Sequence, residues 1–330
     1  MSHKTMNHAL DRIMAKKQRL DGFRPFNPSL IKNLDDWLRI ELTYNSNAIE
    51  GNTLSRADTL LIVEKGITAK GKSIVEHQEA INHAHAYDYI VKLIEDKEKI
   101  SLNKVVMNVH AFILNKINDQ YKGRYRDVPV RIQASQVVLP NPLKVPEKME
   151  EFFVEVGQRK NRPIPDQAIF AHYELVSMHP FIDGNGRTAR LLMNYILLKN
   201  GFAPAFILKE ERSRYLNSLE EYQLFGKSEK YFSHMYEAIE RGLDEYLIFF
   251  KKPPLNTEGK LLKIGELATL SGVTIASIRH WTKEGLLTVH TYTKGNYQLY
   301  KETMIAQVHR IRDLQQEGLN LSAIKKKILL

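Results

Sequence analysis

The twelve residues at 179–190 concentrate polar groups between two apolar segments. Their sequence is HPFIDGNGRTAR, preceded by AIFAHYELVSM and followed by LLMNYILLKN. Glycine allows backbone turns that are closed to other residues, and the first N–H groups of a helix have no partner inside it. Such a turn at a helix N-terminus can bind an anion. The stretch therefore predicts an anion-binding turn before a helix that starts near Arg187.

The side chains of this stretch suit a nucleotide polyphosphate. Arg187 and Arg190 lie three residues apart, so both project toward one helix face, and each can bind phosphate oxygens through two N–H groups. Asp183 offers oxygen ligands of the kind that Mg²⁺ prefers. His179 can accept a proton near neutral pH. Together they predict a phosphate site with a metal and a general base; the alternative is a capped helix–helix loop with a core histidine.

The stretch resembles the Fic family signature, HPFx[D/E]GNGRxxR, and matches it at every fixed position. The resemblance covers most of residues 1–250, including GRYRDVPVRI and PEKMEEFF. It implies an enzyme that transfers AMP from ATP, with Mg²⁺, to a Ser, Thr or Tyr hydroxyl of a protein target. A related subfamily that phosphorylates its targets has Lys in place of Gly186, so the glycine favours AMP transfer.

The resemblance also implies a role for each residue of the signature. His179 would take the proton from the target hydroxyl, and Asp183 would hold the Mg²⁺. The phosphate-binding residues would be Gly184, Asn185, Gly186, Arg187 and Arg190, with Arg190 at the γ-phosphate.

An upstream segment, YNSNAIEGNTL, is typical by itself of a helix end with Gly51 as the cap. Many Fic proteins carry the pattern [S/T]xxxE[G/N] on an inhibitory helix, and Ser46 and Glu50 fit it, which implies such a helix near 44–51. Glu50 would pair with Arg190 and displace ATP, so we expect an enzyme that is inactive by default. Removal of AMP from a modified protein, with Glu50 positioning water, is also open.

The segment RDVPVRIQASQVVLPNP at 126–142 differs from the helical patterns around it. It is rich in Val and Ile, partly alternates and is bounded by prolines, which predicts a short β-hairpin. In a helical body we expect it to form a flap over a groove. The resemblance implies that the flap holds the target as an added strand, through Val130, Arg131, Ile132 and Gln133.

The rest of the first 252 residues predicts an all-α fold, here called the Fic body. Ser55 and Asp58 have the spacing of a capping box that opens a helix. Apolar residues recur every three or four positions over 29–44, 74–95, 101–117, 146–156, 165–178, 187–199 and 229–250.

Composition limits the other possibilities. The chain has no cysteine, which excludes disulfides and thiolate metal sites and fits a cytoplasmic protein. No apolar run approaches about 18 residues, so we expect no membrane partner. Net charge is +10, yet residues 251–330 carry 13 Lys or Arg and 6 Asp or Glu. The prolines of KKPPLNTEG predict a linker at 253–260, and the basic domain at 261–330 suggests a polyanion partner.

The last segment predicts a small winged helix-turn-helix domain. Two short helices flank a Ser-Gly-Val turn, and a β-like TVHTYTKGNYQLY follows. The order of IGELA, SGVT, IRHW and EGLL resembles the MerR family, although Gln298 stands where that family has Arg. This implies DNA binding; the alternative is a protein-docking module. The DNA-binding residues would be Thr274, Ser277, Arg279 and His280 on the recognition helix and Lys294 on the wing.

Two functions from different classes therefore stay open. One is an autoinhibited AMP transferase with a DNA-binding tail. The other is a transcriptional regulator whose Fic body senses nucleotide or a partner without catalysis. His179, Asp183 and Arg190 favour the enzyme, because a silent sensor needs no base. The long dimerisation helix of the MerR family is not recognisable, so any homodimer would have to form through the Fic body.

Overall fold

The structure, a computed structural model, describes residues 3–26, 28–133, 135–251, 261–293, 295, 297–301, 303–316 and 319–328. The chain divides into two compact units, Met1–Phe249 and Phe250–Leu330. The linker predicted at 253–260 lies outside the described residues.

The first unit is built from helices. They are α1 (His3–Asp21), α2 (Pro28–Ile49), α3 (Arg56–Lys65), α4 (Ile74–Glu95), α5 (Leu102–Ile113), α6 (Val145–Gln158), α7 (Ile164–Met178), α8 (Asn185–Lys199), α9 (Arg212–Phe225) and α10 (Glu229–Lys251). Short 3₁₀ helices lie at Pro142–Lys144, Arg159–Asn161 and Lys209–Glu211.

Helix α8 lies at the centre of this unit. It packs most extensively against α7, and α4, α5 and α2 also contact it. Nearly all of its residues are buried, including Arg187 and Arg190, which are 2% and 5% exposed. Because an unpaired buried charge is costly, both guanidinium groups need partners from the surrounding helices.

The predicted all-α body is confirmed. The predicted bounds of α4 agree with the structure, and the capping box at α3 forms as expected, with Asp58 N donating to Ser55 Oγ at 3.1 Å. Sequence periodicity did not predict α1 or α9. In the described residues no helix is long and apolar enough to cross a membrane.

The hairpin predicted in the segment 126–142 is wrong, because none of its described residues belongs to a strand. Hydrogen bonds from side chains take the place of the backbone hydrogen bonds that a β-hairpin would have. The Arg126 guanidinium donates to Val128 O at 3.3 Å and to Pro140 O at 2.7 Å, joining the two ends of the segment. Glu220 accepts from Ser135 Oγ at 2.8 Å. An isolated two-stranded ladder is marginally stable at best, and these bonds shape the flap without one.

The second unit is a small helix-turn-helix fold with a three-stranded antiparallel sheet. Its strands are β1 (Leu262–Lys263), β2 (Thr291–Tyr292) and β3 (Gln298–Tyr300), in the order β1-β3-β2. Its helices are α11 (Ile264–Ser271), α12 (Ile275–Lys283), α13 (Met304–Gln316) and α14 (Leu321–Ile328). The β2–β3 ribbon is the predicted wing.

A compact core holds this second unit together. Ile278 and Trp281 on the inner face of α12 pack with Leu267 of α11 and Tyr300 of β3. The opposite face of α12 presents Arg279 and His280 to solvent. The predicted helical body with a winged helix-turn-helix domain is therefore confirmed as a fold.

Candidate active site

The loop between α7 and α8 begins with a residue in an uncommon backbone conformation. His179 caps α7 with φ 48° and ψ 56°, in the left-handed region, and its N–H donates to Leu175 O at 3.0 Å. Such a conformation costs energy for a residue other than glycine and occurs often at functional sites. The cap turns the chain away from α7 at the imidazole.

The His179 ring has the arrangement of a general base. Its Nδ1 lies 3.3 Å from Val176 O, and a carbonyl can only accept, so Nδ1 carries the proton. Nε2 is then left with a lone pair. Burial lowers the pKa of His179 below its usual 6.5, because burial disfavours the charged form. The imidazole is therefore neutral at neutral pH and able to accept a proton.

Asn185 braces the loop. Its Oδ1 accepts from Phe181 N and its Nδ2 donates to Phe181 O, both at 2.9 Å. The side chain is buried and engaged in shaping the turn, so any contact of Asn185 with phosphate would come from its backbone N–H. The Asn185 side chain therefore shapes the turn, whereas the sequence pattern suggested that Asn185 binds phosphate directly.

Gly184 is needed for both its conformation and its lack of a side chain. It adopts φ 74° at the N-cap of α8, and a Cβ there would lie 2.9 Å from Ile113 Cγ2. Gly184→Ala should lower the free energy of unfolding by about 1–3 kcal/mol, measured by urea unfolding of the full chain. The control is Gly157→Ala in α6, where a Cβ meets open space and the helix should gain about 0.5–1 kcal/mol. A shift of both midpoints in the same direction would contradict this account.

Asp183 and Arg187 form one side of the loop. The Asp183 carboxylate is the most exposed charge of the site, with 61% of its side chain accessible, and lies 3.4 Å from Arg187 Nη2. Arg187 Nη1 donates to Glu79 Oε1 at 2.8 Å. Its Nε is buried with no hydrogen-bond partner among the described residues. The pair thus offers an accessible carboxylate and a guanidinium with an unused donor.

Arg190 is bound by the end of α2. Its Nε donates to Ser46 Oγ at 3.0 Å, and its Nη2 donates to Ser46 O at 2.8 Å and to Glu50 Oε1 at 2.7 Å. Burial opposes ionisation of Glu50, but the charges of Arg190 and Arg187 outweigh it, and the pKa of Glu50 lies below its usual value. Glu50 is therefore a carboxylate bound to a buried arginine.

The Glu50 carboxylate occupies the space beside the first turn of α8. A Cβ built on Gly186 would collide with Glu50 Oε1 and lie 3.1 Å from Arg190 Nη1. Because the N-terminus of a helix favours anions, the carboxylate sits where a phosphate would be stabilised. Gly186 permits this approach, and any side chain at that position would push Glu50 out.

Several bonds hold the end of α2 against the loop. Arg212 Nε donates to Ile49 O at 2.6 Å, and Lys209 N donates to Asn45 Oδ1 at 3.0 Å. Asn52 Nδ2 donates to Glu79 Oε2 at 2.8 Å, so Glu79 links the segment after α2 to Arg187. The position of Glu50 therefore depends on contacts from three separate parts of the fold.

Three residues that shape the site were missed in the sequence. Arg126 Nε donates to His179 O at 2.8 Å, and Glu79 pairs with Arg187. Gly123 N donates to His110 Nδ1, so His110 Nε2 carries the proton and donates to Asp183 O at 3.0 Å. All three lie far from residues 179–190 in the sequence. The residues around them form no motif that would indicate a role in the site.

The remaining predicted residues belong to the flap and to the second unit. In the flap, Arg131 and Gln133 are exposed while Val130 and Ile132 are half-buried. In the second unit, Thr274 caps α12 by accepting from Ser277 N at 3.1 Å, which ties up both side chains locally. Lys294 lies outside the described residues.

The comparison with known families assigns both units. Residues 100–197 match the Fic/DOC family, and residues 262–329 match the MerR family of helix-turn-helix regulatory proteins. The chain therefore carries a Fic domain followed by a MerR-type helix-turn-helix domain.

Particular relatives share the Fic body. The protein adenylyltransferase Fic of Nematostella vectensis is 34% identical over 253 residues, which are 76% of this chain and 58% of that protein. The protein of the same name from Drosophila grimshawi is 34% identical over 62% of this chain and 42% of its own length. This chain thus spans about half the length of the curated relatives that it matches.

Solved structures agree with this assignment. Fic-1 from C. elegans superposes with a TM-score of 0.68 at 27% identity, over 75% of this chain and 73% of that one. A Fic family protein from Desulfovibrio desulfuricans matches in fold with a TM-score of 0.63 at 19% identity, over 89% of this chain and 96% of its own.

Proposed function

We propose that this chain is a protein adenylyltransferase, which transfers AMP from ATP to the hydroxyl of a Ser, Thr or Tyr in a target protein. The observation that carries the proposal is the His179 imidazole, neutral and with Nε2 free, at the start of a loop lined by two buried arginines. A silent nucleotide sensor would need the arginines but no base. The curated relatives named as adenylyltransferases support the same conclusion.

In this mechanism the chain positions ATP and removes one proton. The target hydroxyl oxygen attacks the α-phosphorus while His179 Nε2 accepts its proton. The bond from the α-phosphorus to the oxygen that bridges to the β-phosphorus breaks, and pyrophosphate leaves. Positioning and charge stabilisation supply most of the rate in chemistry of this type.

The triphosphate would lie along the first turn of α8. The backbone N–H groups after Gly184, the unused Nε of Arg187 and the guanidinium of Arg190 would bind its oxygens. Gly186 leaves room for a phosphate at the position that the Glu50 carboxylate now takes.

Asp183 is the residue suited to hold Mg²⁺. Its carboxylate is 61% exposed beside the proposed phosphate positions, and Mg²⁺ binds through one or two carboxylates plus substrate phosphates. When bound, the ion would neutralise charge on the α- and β-phosphates. His110 holds the backbone of Asp183 in place by donating to its carbonyl oxygen.

Glu50 would keep the enzyme inactive by default. A carboxylate and a γ-phosphate cannot share the Arg190 guanidinium, so ATP would bind displaced and its α-phosphorus would be poorly aligned. The low pKa of Glu50 keeps the carboxylate charged throughout the neutral range. Ser46 adds to the block because it accepts from Arg190 through both its hydroxyl and its carbonyl.

The flap would bind the target backbone. Side chains in residues 130–133 alternate between half-buried and exposed. An extended target peptide would pair with the backbone of this segment as an added strand. This would bring the acceptor hydroxyl to His179, because Arg126 joins the flap ends to the His179 carbonyl.

The activity itself is tested with ATP labelled at the α-phosphate. A Glu50→Gly variant should label protein bands in a host lysate, and mass spectrometry should find AMP on a Ser, Thr or Tyr. Label from γ-labelled ATP instead would indicate phosphorylation. Absence of any label from this variant would favour the silent sensor.

The rate should depend on pH through His179. Because burial lowers the pKa of His179 from 6.5, the neutral base persists at lower pH than a free imidazole would. For Glu50→Gly at saturating ATP, we expect the rate to fall to half of its maximum at a pH below 6.5, the usual pKa of an imidazole. A rate that falls through 7 or above would contradict His179 as a neutral base.

We propose DNA binding for the second unit. Arg279 and His280 are exposed on α12, and the match to the MerR family supports this role. Affinity of the full chain for a duplex of mixed sequence should fall steeply with salt, because phosphate contacts release counterions. Arg279→Ala should weaken binding about tenfold, whereas Arg19→Ala on α1 should not. Salt-independent or absent binding would favour a protein-docking module.

A further inference from the structure

His234 of α10 is a buried side chain that the proposed reaction does not use. It is 1% exposed, and neither ring nitrogen has a hydrogen-bond partner among the described residues. Buried polar groups in native proteins are nearly always satisfied, so such a group calls for an unseen partner. An imidazole with both nitrogens available is also a common metal ligand.

Two carboxylates face this imidazole. Glu237 lies one helical turn beyond His234 on the same face of α10, and Glu211 ends the 3₁₀ helix at Lys209–Glu211. One ligand atom from each of the three residues lies within 4.8 Å of the other two. Ligand atoms around a tetrahedral zinc ion are about 3.4 Å apart, a spacing that rotation of the side chains can reach.

Both carboxylates are bound by arginines but keep lone pairs that could bind an ion. Arg241 donates to Glu211 Oε1 at 2.7 Å, and Arg214 donates to both oxygens of Glu237 at 2.6 and 2.7 Å. Each carboxylate has about four lone-pair sites, so lone pairs remain for an ion. Metal-binding carboxylates commonly have such outer hydrogen-bond partners, which orient them.

The donor set selects the kind of ion. One imidazole nitrogen with two carboxylate oxygens suits Zn²⁺ and similar transition metals, whereas Mg²⁺ and Ca²⁺ prefer oxygen alone. An ion could enter from solvent, because Arg214 and Ser233 line an adjacent cavity of about 360 Å³. The two arginines already balance the two carboxylates, so we expect micromolar rather than picomolar affinity.

We propose that Glu211, His234 and Glu237 form a binding site for a divalent transition metal, best matched by zinc. The ion would join α10 to the 3₁₀ helix that precedes α9. Its role would be structural, because none of the three ligands is among the residues assigned to the reaction.

The test uses the full chain without a histidine tag, treated with a chelator and free of nucleotide. Calorimetry should show one Zn²⁺ per chain, and Mg²⁺ should give no such signal. His234→Gln and Glu237→Gln should each weaken zinc binding at least tenfold. The matched control is Glu240→Gln, on the same helix but paired with Arg12 and Lys16. It should bind zinc like the wild type.

A second measurement separates binding from folding. Zinc should raise the Tm of the wild type, and the shift should vanish in Glu237→Gln, whose side chain is 40% exposed and tolerates the change. Absence of a heat signal at about 100 μM zinc, where a micromolar site would be nearly saturated, would overturn the proposal. Unchanged zinc binding in both ligand variants would also overturn it.

Discussion

Glu50→Gly should raise the rate of AMP transfer about 100-fold over the wild type, since a misplacement of about 1 Å at a reacting centre costs that much. The wild-type carboxylate bonds Arg190 at 2.7 Å and fills the space beside Gly186. Its removal frees both the guanidinium and the first turn of α8. The γ-phosphate can then take the vacated position, which aligns the α-phosphorus with the target hydroxyl.

The rate is measured as incorporation of labelled AMP into the chain itself or into a target. Glu50→Gln serves as an isosteric variant: it removes the charge but keeps the bulk, so the rate should rise less than with glycine. Glu41→Gln is the matched control, because Glu41 also lies on α2 and also pairs with an arginine, Arg56. It should leave the rate unchanged. Equal rates for wild type and Glu50→Gly would show that Glu50 does not inhibit AMP transfer.

His179→Ala, made in the Glu50→Gly background, should lower AMP transfer by about 10²–10⁴-fold, the usual contribution of a positioned base. The phosphate-binding groups stay intact in this variant, so ATP affinity should change little. The loss should therefore appear in kcat rather than in KM. This separation distinguishes a base from a residue that merely shapes the loop.

The control for this loss is His85→Ala, which removes an exposed histidine of α4 and should have no effect on the rate. Unfolding curves of both variants check that the α7–α8 loop is still folded. AMP transfer that survives His179→Ala at the parent rate would assign the base to another group. It would also reopen the sensor hypothesis for this chain.

The central loop could be predicted because its information is local. Residues 179–190 combine glycines, a histidine, an aspartate and two arginines, and few sites other than a phosphate site need this combination. Helix geometry also fixes the relative direction of Arg187 and Arg190. The approach of Glu50 to Arg190 could be expected only from the resemblance to the Fic family. Nothing in the spacing of two residues 140 positions apart indicates a contact.

The supporting residues could not be predicted, because their roles arise from tertiary contacts. Arg126 bonds three carbonyl groups, at His179, Val128 and Pro140, and so replaces the ladder that alternation predicted for the flap. His110 stacks on Phe181 with ring centroids 3.6 Å apart, yet it lies on an ordinary amphipathic helix. Alternation of apolar residues indicates which side chains face the protein, and here Val130 and Ile132 are half-buried without strand pairing.

The most direct test of the account is a crystal structure of Glu50→Gly with Mg²⁺ and a non-hydrolysable ATP analogue, compared with the wild type soaked in the same way. We expect the γ-phosphate of the variant to lie within hydrogen-bond distance of the Arg190 guanidinium, with the α-phosphate facing His179 Nε2. In the wild type, Glu50 should keep Arg190 and the γ-phosphate should lie elsewhere. A variant whose loop between α7 and α8 stays empty, or whose γ-phosphate avoids Arg190, would contradict the account.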